Sequence, residues 1–569
     1  MGNFFKKILE YIIKFDKYTS DYKIKGCVAE LPSIAYINWG VYLANNNEYD
    51  EAIKKLETAT SMAQQSPAAY LNLGIIYAKK NDYQEAINYF RKTIKLDSRN
   101  IQAYSMWSAA LVEVGDYKDA EYFFKKAQAL DPQNHAIYLN YGVALAKHNI
   151  KEKAREMLKT SLFYSPENYT AAFLLGIVQF ELDKIQDAIE KFKFVLKLSP
   201  EHSGAYYYLG LCYYKLVDYN KSIECAKKSL ELSIENPNVC LLLAESYMML
   251  KDKEESLKYY QLAYDYDLKT SQLYSSWGLS LQSFGEIAES TEKFNSALAL
   301  NPDNYHIIYH LGVNFMKEEK YEQALSNFRK VLEACPQYSN AFAQIGMINY
   351  DKHKYKEAIG YFYRAIRANR KSSHLYFYVA NSYYHLGNFK SAAGYYAKTI
   401  EYHPQHLEAY INYTSVLMET DNNKEALRKI RTAYHIDKCS VKVNFLYAIV
   451  LMRLKMFKES YEKLENVVKL NPKFYNAKFA KAEVLFHLNK PQEAIGILQS
   501  LPEDLHLSKD FLYLSSINYT ALAQLSPSNY NIKMAMEYCD KIKELYPLEY
   551  DWEETRDYLQ ETLKTSERH

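Results

Sequence analysis

From Ser33 to Ser508 the chain repeats one pattern of apolar and polar positions every 34 residues, without insertion or deletion, through fourteen units. Within a unit, apolar residues recur at the spacing of a helix face, as in Tyr104, Trp107 and Leu111 and then Phe123, Phe124 and Ala127. The polar break Val114-Gly115-Asp116-Tyr117 separates these two runs. The alternation predicts helix, turn and helix in each unit. Position 8 is Gly, Ala or Ser in thirteen of the fourteen units, Thr414 being the exception, and position 20 is Ala or Ser in all fourteen. Small side chains at two fixed positions are what a pair of closely crossing helices requires, with the larger residues filling the flanking grooves. Seven units place proline at position 32 (Pro132, Pro166, Pro200, Pro302, Pro336, Pro404 and Pro472), where a missing N–H ends the second helix.

The flanks obey the pattern less strictly. Residues 509–547 read as a degenerate fifteenth unit, in which Ser516 and Tyr519 fit positions 8 and 11. Ala535 and Pro547 fit positions 20 and 32 only if about seven residues are inserted around Ser526-Pro527-Ser528. Residues 548–569, with Leu548, Trp552, Leu559 and Leu563 at helical spacing in an acidic segment, read as a C-terminal capping helix. Residues 1–32 hold an amphipathic helix and lead-in, with Phe4, Phe5, Ile8, Leu9, Ile12 and Ile13 on one face and Lys6, Lys7, Lys14 and Lys17 beside it. Two roles suit this helix: docking on the open end of the first unit beside Tyr36 and Trp39 as an N-terminal cap, which is preferred, or lying on an anionic membrane surface.

Composition narrows the function. The 70 Lys and Arg nearly balance the 68 Asp and Glu, giving a formal net charge of +2, so no field exists to hold a phosphate backbone and no nucleic-acid partner is expected. Seven cysteines are scattered without a CxxC or a framework, which points to a reducing compartment. Charges interrupt the N-terminal apolar stretch, no cleavage site follows it, and nowhere do about 18 apolar residues run together, so neither a signal peptide nor a membrane span is expected. Gly2 does not make a myristoylation signal, because Lys6 stands where Ser or Thr is wanted. The expected location is cytoplasmic, with peripheral contact at the inner face of a membrane if the N-terminal helix binds lipid.

The small residues at 8, 20 and 27, the aromatic at 4 or 7 and the proline at 32 resemble the tetratricopeptide repeat, as in SMWSAALVEVGDYKDAEYFFKKAQALDP and NLGIIYAKKNDYQEAINYFRKTIKLD. The resemblance covers residues 33–508 and implies an all-α solenoid, a right-handed superhelix of helix-turn-helix units with terminal capping helices. It further implies that positions 2, 5, 6, 9, 12 and 13 of each unit face a concave groove. There the chain sets Tyr207, Tyr208, Tyr214, Tyr309, Tyr350, Phe377, Tyr378 and Tyr384, rings that offer contact area with a polar tip. The 57 tyrosines of the whole chain are an alternative, compositional source of that density.

Asn38, Asn72, Asn140 and Asn412 stand at position 6, where arms similar to that of O-GlcNAc transferase use a ladder of carboxamides to grip a peptide backbone. Leu174, Tyr208, Leu242 and Leu446 break such a ladder here. The family's clamp for a chaperone tail is matched in part by Asn381, Asn412 and Lys442, while Phe377 and Leu446 replace two of its cations. A modified site on Asn381, Asn412 and Lys442, with Arg453 nearby, suits a less acidic peptide better than a terminal carboxylate.

No catalytic constellation emerges. No nucleotide motif and no HExxH occurs, and His306 and His310 in HIIYH lack the intervening Glu of a hydrolytic zinc site, so neither metal nor cofactor is expected. With about 30 residues before the array and about 60 after it, no catalytic domain is expected within this sequence. The sequence thus predicts a non-catalytic scaffold or adaptor holding a protein or peptide segment in its groove. The residues expected to touch the partner are Asn38, Asn72, Asn140, Asn381, Asn412, Lys442, Tyr207, Tyr208, Tyr309 and Tyr378. The alternative is the substrate-recognition subunit of an enzyme complex, such as a glycosyltransferase whose catalytic part is a separate chain. The sequence sets no oligomeric state.

Overall fold

The computed structural model describes residues 30–546, apart from 234 and 527, and residues 553–566. The N-terminal amphipathic stretch up to residue 29, Pro547, Leu548 and Trp552 lie outside the described residues. Helices alternate with short turns throughout, and no strand occurs among the described residues. The chain is an all-α solenoid of consecutive helix pairs. It forms two compact bodies, one up to Leu300 and one from Asn301.

Both bodies use the same unit, here called an A helix and a B helix. In the first body Ile101–Glu113 is an A helix and Tyr117–Leu130 its B helix; in the second, Ser339–Asp351 and Tyr355–Ala368 repeat the arrangement. A polar side chain opens many of these helices by capping a free backbone N–H. Asn100 Oδ1 accepts from the Ala103 N–H at 2.9 Å before an A helix, and Asp116 Oδ1 accepts from the Asp119 N–H at 3.2 Å before a B helix.

The turn between A and B is the same in every unit. Position 15 has positive φ in all fourteen, although only Gly115, Gly285 and Gly387 are glycines. Asparagine or aspartate fills six of the others, while Val217, Lys251, Glu319, His353 and Lys455 hold the left-handed conformation without that chemical preference. The N–H of position 16 then returns to the C=O of position 11, as from Asp218 to Tyr213 at 3.0 Å, closing a Schellman motif.

The crossing of A on B sets the core. Every residue at position 20 is fully buried. In three of the four units where it is serine, its hydroxyl donates to the position-8 carbonyl of the same unit: Ser256 to Ala244 O at 3.0 Å, Ser290 to Gly278 O at 2.7 Å and Ser460 to Ala448 O at 3.0 Å, while Ser222 Oγ pairs with Ser246 Oγ at 3.1 Å. Position 8 itself meets position 24. A Cβ at Gly74, Gly176, Gly278, Gly312 or Gly346 would stand 2.6–2.7 Å from the ring of Phe90, Phe192, Phe294, Phe328 or Phe362 respectively, and all five rings are fully buried.

Beyond Ser508 the helices lengthen. Lys509–Leu525 and Asn529–Leu545 have 17 residues each, so the extra residues near Ser526 are taken up as additional helical turn. The preceding B helix, Pro491–Gln499, is cut to nine residues and followed by a 3-10 turn. Glu553–Ser566 packs on Asn529–Leu545 through Leu559, which is fully buried beside Ile532, Ala535 and Cys539.

Two stability changes follow. Val217 is 67% exposed, so Val217→Gly removes little packing while relieving a left-handed strain of about 1–2 kcal/mol against about 0.5–1 kcal/mol of added chain entropy. The thermal midpoint is expected to rise, and an unchanged or lower midpoint by circular dichroism contradicts the strain argument. Gly346→Ala overpacks the Phe362 ring at a cost of about 2 kcal/mol, which exceeds about 1 kcal/mol of helix propensity gained. In a Phe362→Leu background the same change is expected to cost nothing, because Ala448 with Leu464 and Ala482 with Leu498 already use that pairing. Additive effects in a denaturation double-mutant cycle would refute the ring contact as the cause.

Candidate functional site

In the second body the A helices Ser339–Asp351, Ser373–His385 and Leu407–Glu419 line a recess of about 180 Å³. Its wall consists of Tyr350, Asn381, Tyr384, His385, Tyr396, Asn412 and Ser415. Tyr396 stands at position 24, where six units have phenylalanine, and its hydroxyl donates to Asn381 Oδ1 at 2.5 Å. Asn412 Nδ2 donates to the same oxygen at 3.2 Å. Burial pushes the Tyr396 phenol well above its ordinary range, with Asn412 pulling in the opposite sense, so it stays protonated as a donor. Asn381 Nδ2 and Asn412 Oδ1, one donor and one acceptor, take no part in these two hydrogen bonds.

The cation expected to complete this site does not line it. Lys442 is exposed and lies outside the recess wall, and the Arg453 guanidinium donates to the Met418 carbonyl at 2.6 Å near the end of the neighbouring A helix. An uncharged pair of carboxamides suits the N–H and C=O of a peptide backbone.

In the first body an open trough of about 420 Å³ runs across four successive A helices, over a floor that includes Ile75, Met106, Ala109, Leu139, Val143 and Leu174. Asn140 lies in it and is tied to Ser105 Oγ at 3.2 Å and Met106 Sδ at 3.4 Å. Glu113 joins Lys147 at 3.0 Å and His148 at 3.1 Å along its edge. Asn72 donates to Ala68 O of its own helix at 2.8 Å, and Asn38 is exposed, so neither extends Asn140 into a ladder.

The four tyrosines chosen from the sequence are partly core. Tyr208 stacks on Phe192 with centroids 5.6 Å apart, and Tyr378 stacks on Phe362 at 5.6 Å, so both cover the position-24 ring of the preceding unit. Tyr309 is 9% exposed and accepts from Gln344 Nε2 at 3.3 Å. Tyr207 packs at the edge of a cluster containing Val239, Leu242 and Leu243. Burial raises all four phenols. His306 is exposed, with Nδ1 3.5 Å from the Tyr338 hydroxyl, while burial pushes His310 down to about 4. Among the described residues no three His, Cys, Asp or Glu side chains gather as a metal-binding group.

Glu245 escaped the sequence reading. It stands at position 9, which is apolar in ten of the fourteen units and polar only in Glu245, Asn381, Ser415 and Glu483. Ser276 Oγ donates to its Oε1 at 2.8 Å. Burial raises its carboxyl, with the Ser276 hydrogen bond pulling the other way. The signal that would have found it is the departure from the repeat's own apolar rule. Its helix neighbours contribute Tyr207 and Tyr214 from one side and Tyr260 from the other, all three pushed up by burial and further by the Glu245 charge.

The family comparisons agree with the helix-pair repeat. The description "Cytochrome c-type biogenesis protein H TPR domain" matches residues 97–206, and two "Tetratricopeptide repeat" descriptions match 37–101, 309–373, 379–438 and 448–504, and 203–233 and 237–270. Solved structures similar in fold include the APC/C hetero-tetramer Cut9-Hcn1, with 14% identity over 79% of this chain and 96% of that one and a TM-score of 0.36. YrrB, titled a TPR protein with an unusual peptide-binding site, shares 21% identity over 32% of this chain and 95% of its own, with a TM-score of 0.27. PilF of Pseudomonas aeruginosa shares 22% over 39% and 96%, with a TM-score of 0.33. No curated protein matches the chain. No helix among the described residues is long and apolar enough to cross a membrane.

Because the folded Glu245 carboxyl has a raised pKa, its favourable contribution is complete below the ordinary value of 4.5 and is lost as pH rises through the folded value. Glu245→Gln, which can still accept from Ser276, is expected to raise the thermal midpoint at pH 7.5 and to leave it unchanged at pH 4. A midpoint lowered at pH 7.5 would show that the charge is satisfied within the fold.

Proposed function

Because the chain belongs to the tetratricopeptide repeat family, we propose that it is a non-catalytic scaffold that holds an extended protein segment along its A-helix face. Repeats of this family make protein-interaction scaffolds. The observation that carries the finer reading is the carboxamide pair in the second body. Asn381 Oδ1 is occupied by Tyr396 and Asn412, which fixes both amide planes and leaves Asn381 Nδ2 and Asn412 Oδ1 to meet a C=O and an N–H of one incoming chain. Tyr350, Tyr384 and His385 around them give flat, half-polar surface for adjacent side chains. Pre-ordered anchors of this kind lower the ordering cost of association, so a few contacts dominate the affinity. The apolar trough around Asn140 in the first body extends the same mode of binding to bulky side chains.

The test is selection of random dodecapeptides displayed on phage against the full chain, followed by titration of the chosen peptides. Asn381→Ala with Asn412→Ala is expected to weaken peptides that bind this recess at least tenfold, about 1.4 kcal/mol, while circular dichroism stays unchanged. Failure of the wild type to select any peptide, or equal binding by the double variant of every selected peptide, would sink the proposal.

A further inference from the structure

Units 7 and 11 share a departure from the repeat that occurs nowhere else in the fourteen: alanine at position 8, a polar residue at 9 and tyrosine at 24. In unit 11 these are Ala380, Asn381 and Tyr396, and the polar pair is closed by the 2.5 Å hydrogen bond. In unit 7 they are Ala244, Glu245 and Tyr260. The Tyr260 hydroxyl is fully buried and has no hydrogen-bond partner among the described residues, although it lies within electrostatic reach of Glu245 and Tyr214. Where the neutral amide of unit 11 completes its own network, the acid of unit 7 leaves one open.

We infer that Glu245 is the floor of a subsite for a lysine or arginine side chain of the bound segment, walled by Tyr207, Tyr214 and Tyr260 and completed by Ser276. The inference rests on the reading that the segment lies along the A-helix face. An ionised carboxylate accepts about four hydrogen bonds, and Glu245 receives one, from Ser276. No lysine or arginine among the described residues acts on its charge. The surrounding rings point the same way. On the same helices, Tyr213, Tyr247 and Tyr259 carry the chain's own Lys221, Lys227 and Lys258 over their faces. Among the described residues no lysine or arginine lies over Tyr207, Tyr214 or Tyr260. A cation arriving from outside supplies the counter-charge, several N–H donors and a partner for the ring faces together. Tyr207, Tyr214, Glu245 and Ser276 occupy positions 5, 12, 9 and 6, four of the positions that look onto the binding face in this family.

The same phage-displayed dodecapeptide library tests the subsite with wild type, Glu245→Gln and the Asn381→Ala, Asn412→Ala double variant as baits. The wild-type pool is expected to be enriched in Lys or Arg at one position, and exchange of that residue for norleucine or citrulline in a selected peptide should weaken binding at least tenfold. Glu245→Gln should lose the basic preference and bind the two forms of the peptide equally, whereas the double variant should keep it. Peptides selected without a basic preference, or a preference that survives Glu245→Gln, would overturn the subsite and leave the binding face intact. A wild type that selects no peptide overturns the binding face itself, and the subsite with it. Circular dichroism of Glu245→Gln separates lost recognition from lost folding.

Discussion

The whole array hangs on the contact between position 8 of an A helix and position 24 of its B helix. With glycine at one and phenylalanine at the other, the ring edge occupies the space that a Cβ would need, so the two backbones approach as closely as a ring laid on a main chain allows. Position 20, alanine or serine in every unit, closes the crossing from the other side, and Ser256, Ser290 and Ser460 there each give a hydroxyl to the facing carbonyl. Repeating this crossing sets each unit on the next and carries the A-helix surfaces into one layer within each body.

Polar chemistry enters that layer by exception. A phenylalanine at position 24 ends inside the core, whereas Tyr396 there carries its hydroxyl onward to Asn381 at position 9. Tyr396 with Asn381 is the closed version of this device, and Tyr260 beside Glu245 the open one. The surrounding tyrosines divide their work, since Tyr208 and Tyr378 cover core rings while their edges remain on the face. Aromatic density on this face therefore serves packing, and in the proposed reading recognition as well.

The helix pairs were legible in the sequence because small residues at positions 8 and 20 recur in steps of 34 and have no other physical use. The left-handed turn at position 15 was not legible from composition, since only three of fourteen residues there are glycine and Val217 is a poor fit to the conformation it holds. The adjacency of Asn381 and Asn412 followed from their register, positions 9 and 6 of successive units. The fate of Lys442 and Arg453 did not, because long side chains choose between solvent and nearby carbonyls by local geometry; Arg453 found Met418 O. Glu245 was overlooked for the opposite reason: a search for recurring residues averages away the one unit that differs.

The hidden placement of Tyr260 and Tyr396 also bears on how such arrays diversify. A single oxygen added to or removed from a buried ring switches a polar contact on the outer face while the volume filling the crossing hardly changes. On the proposed reading, recognition can thus drift through substitutions on the B helices, behind the A-helix layer, and two arrays with the same A-helix residues can prefer different partners.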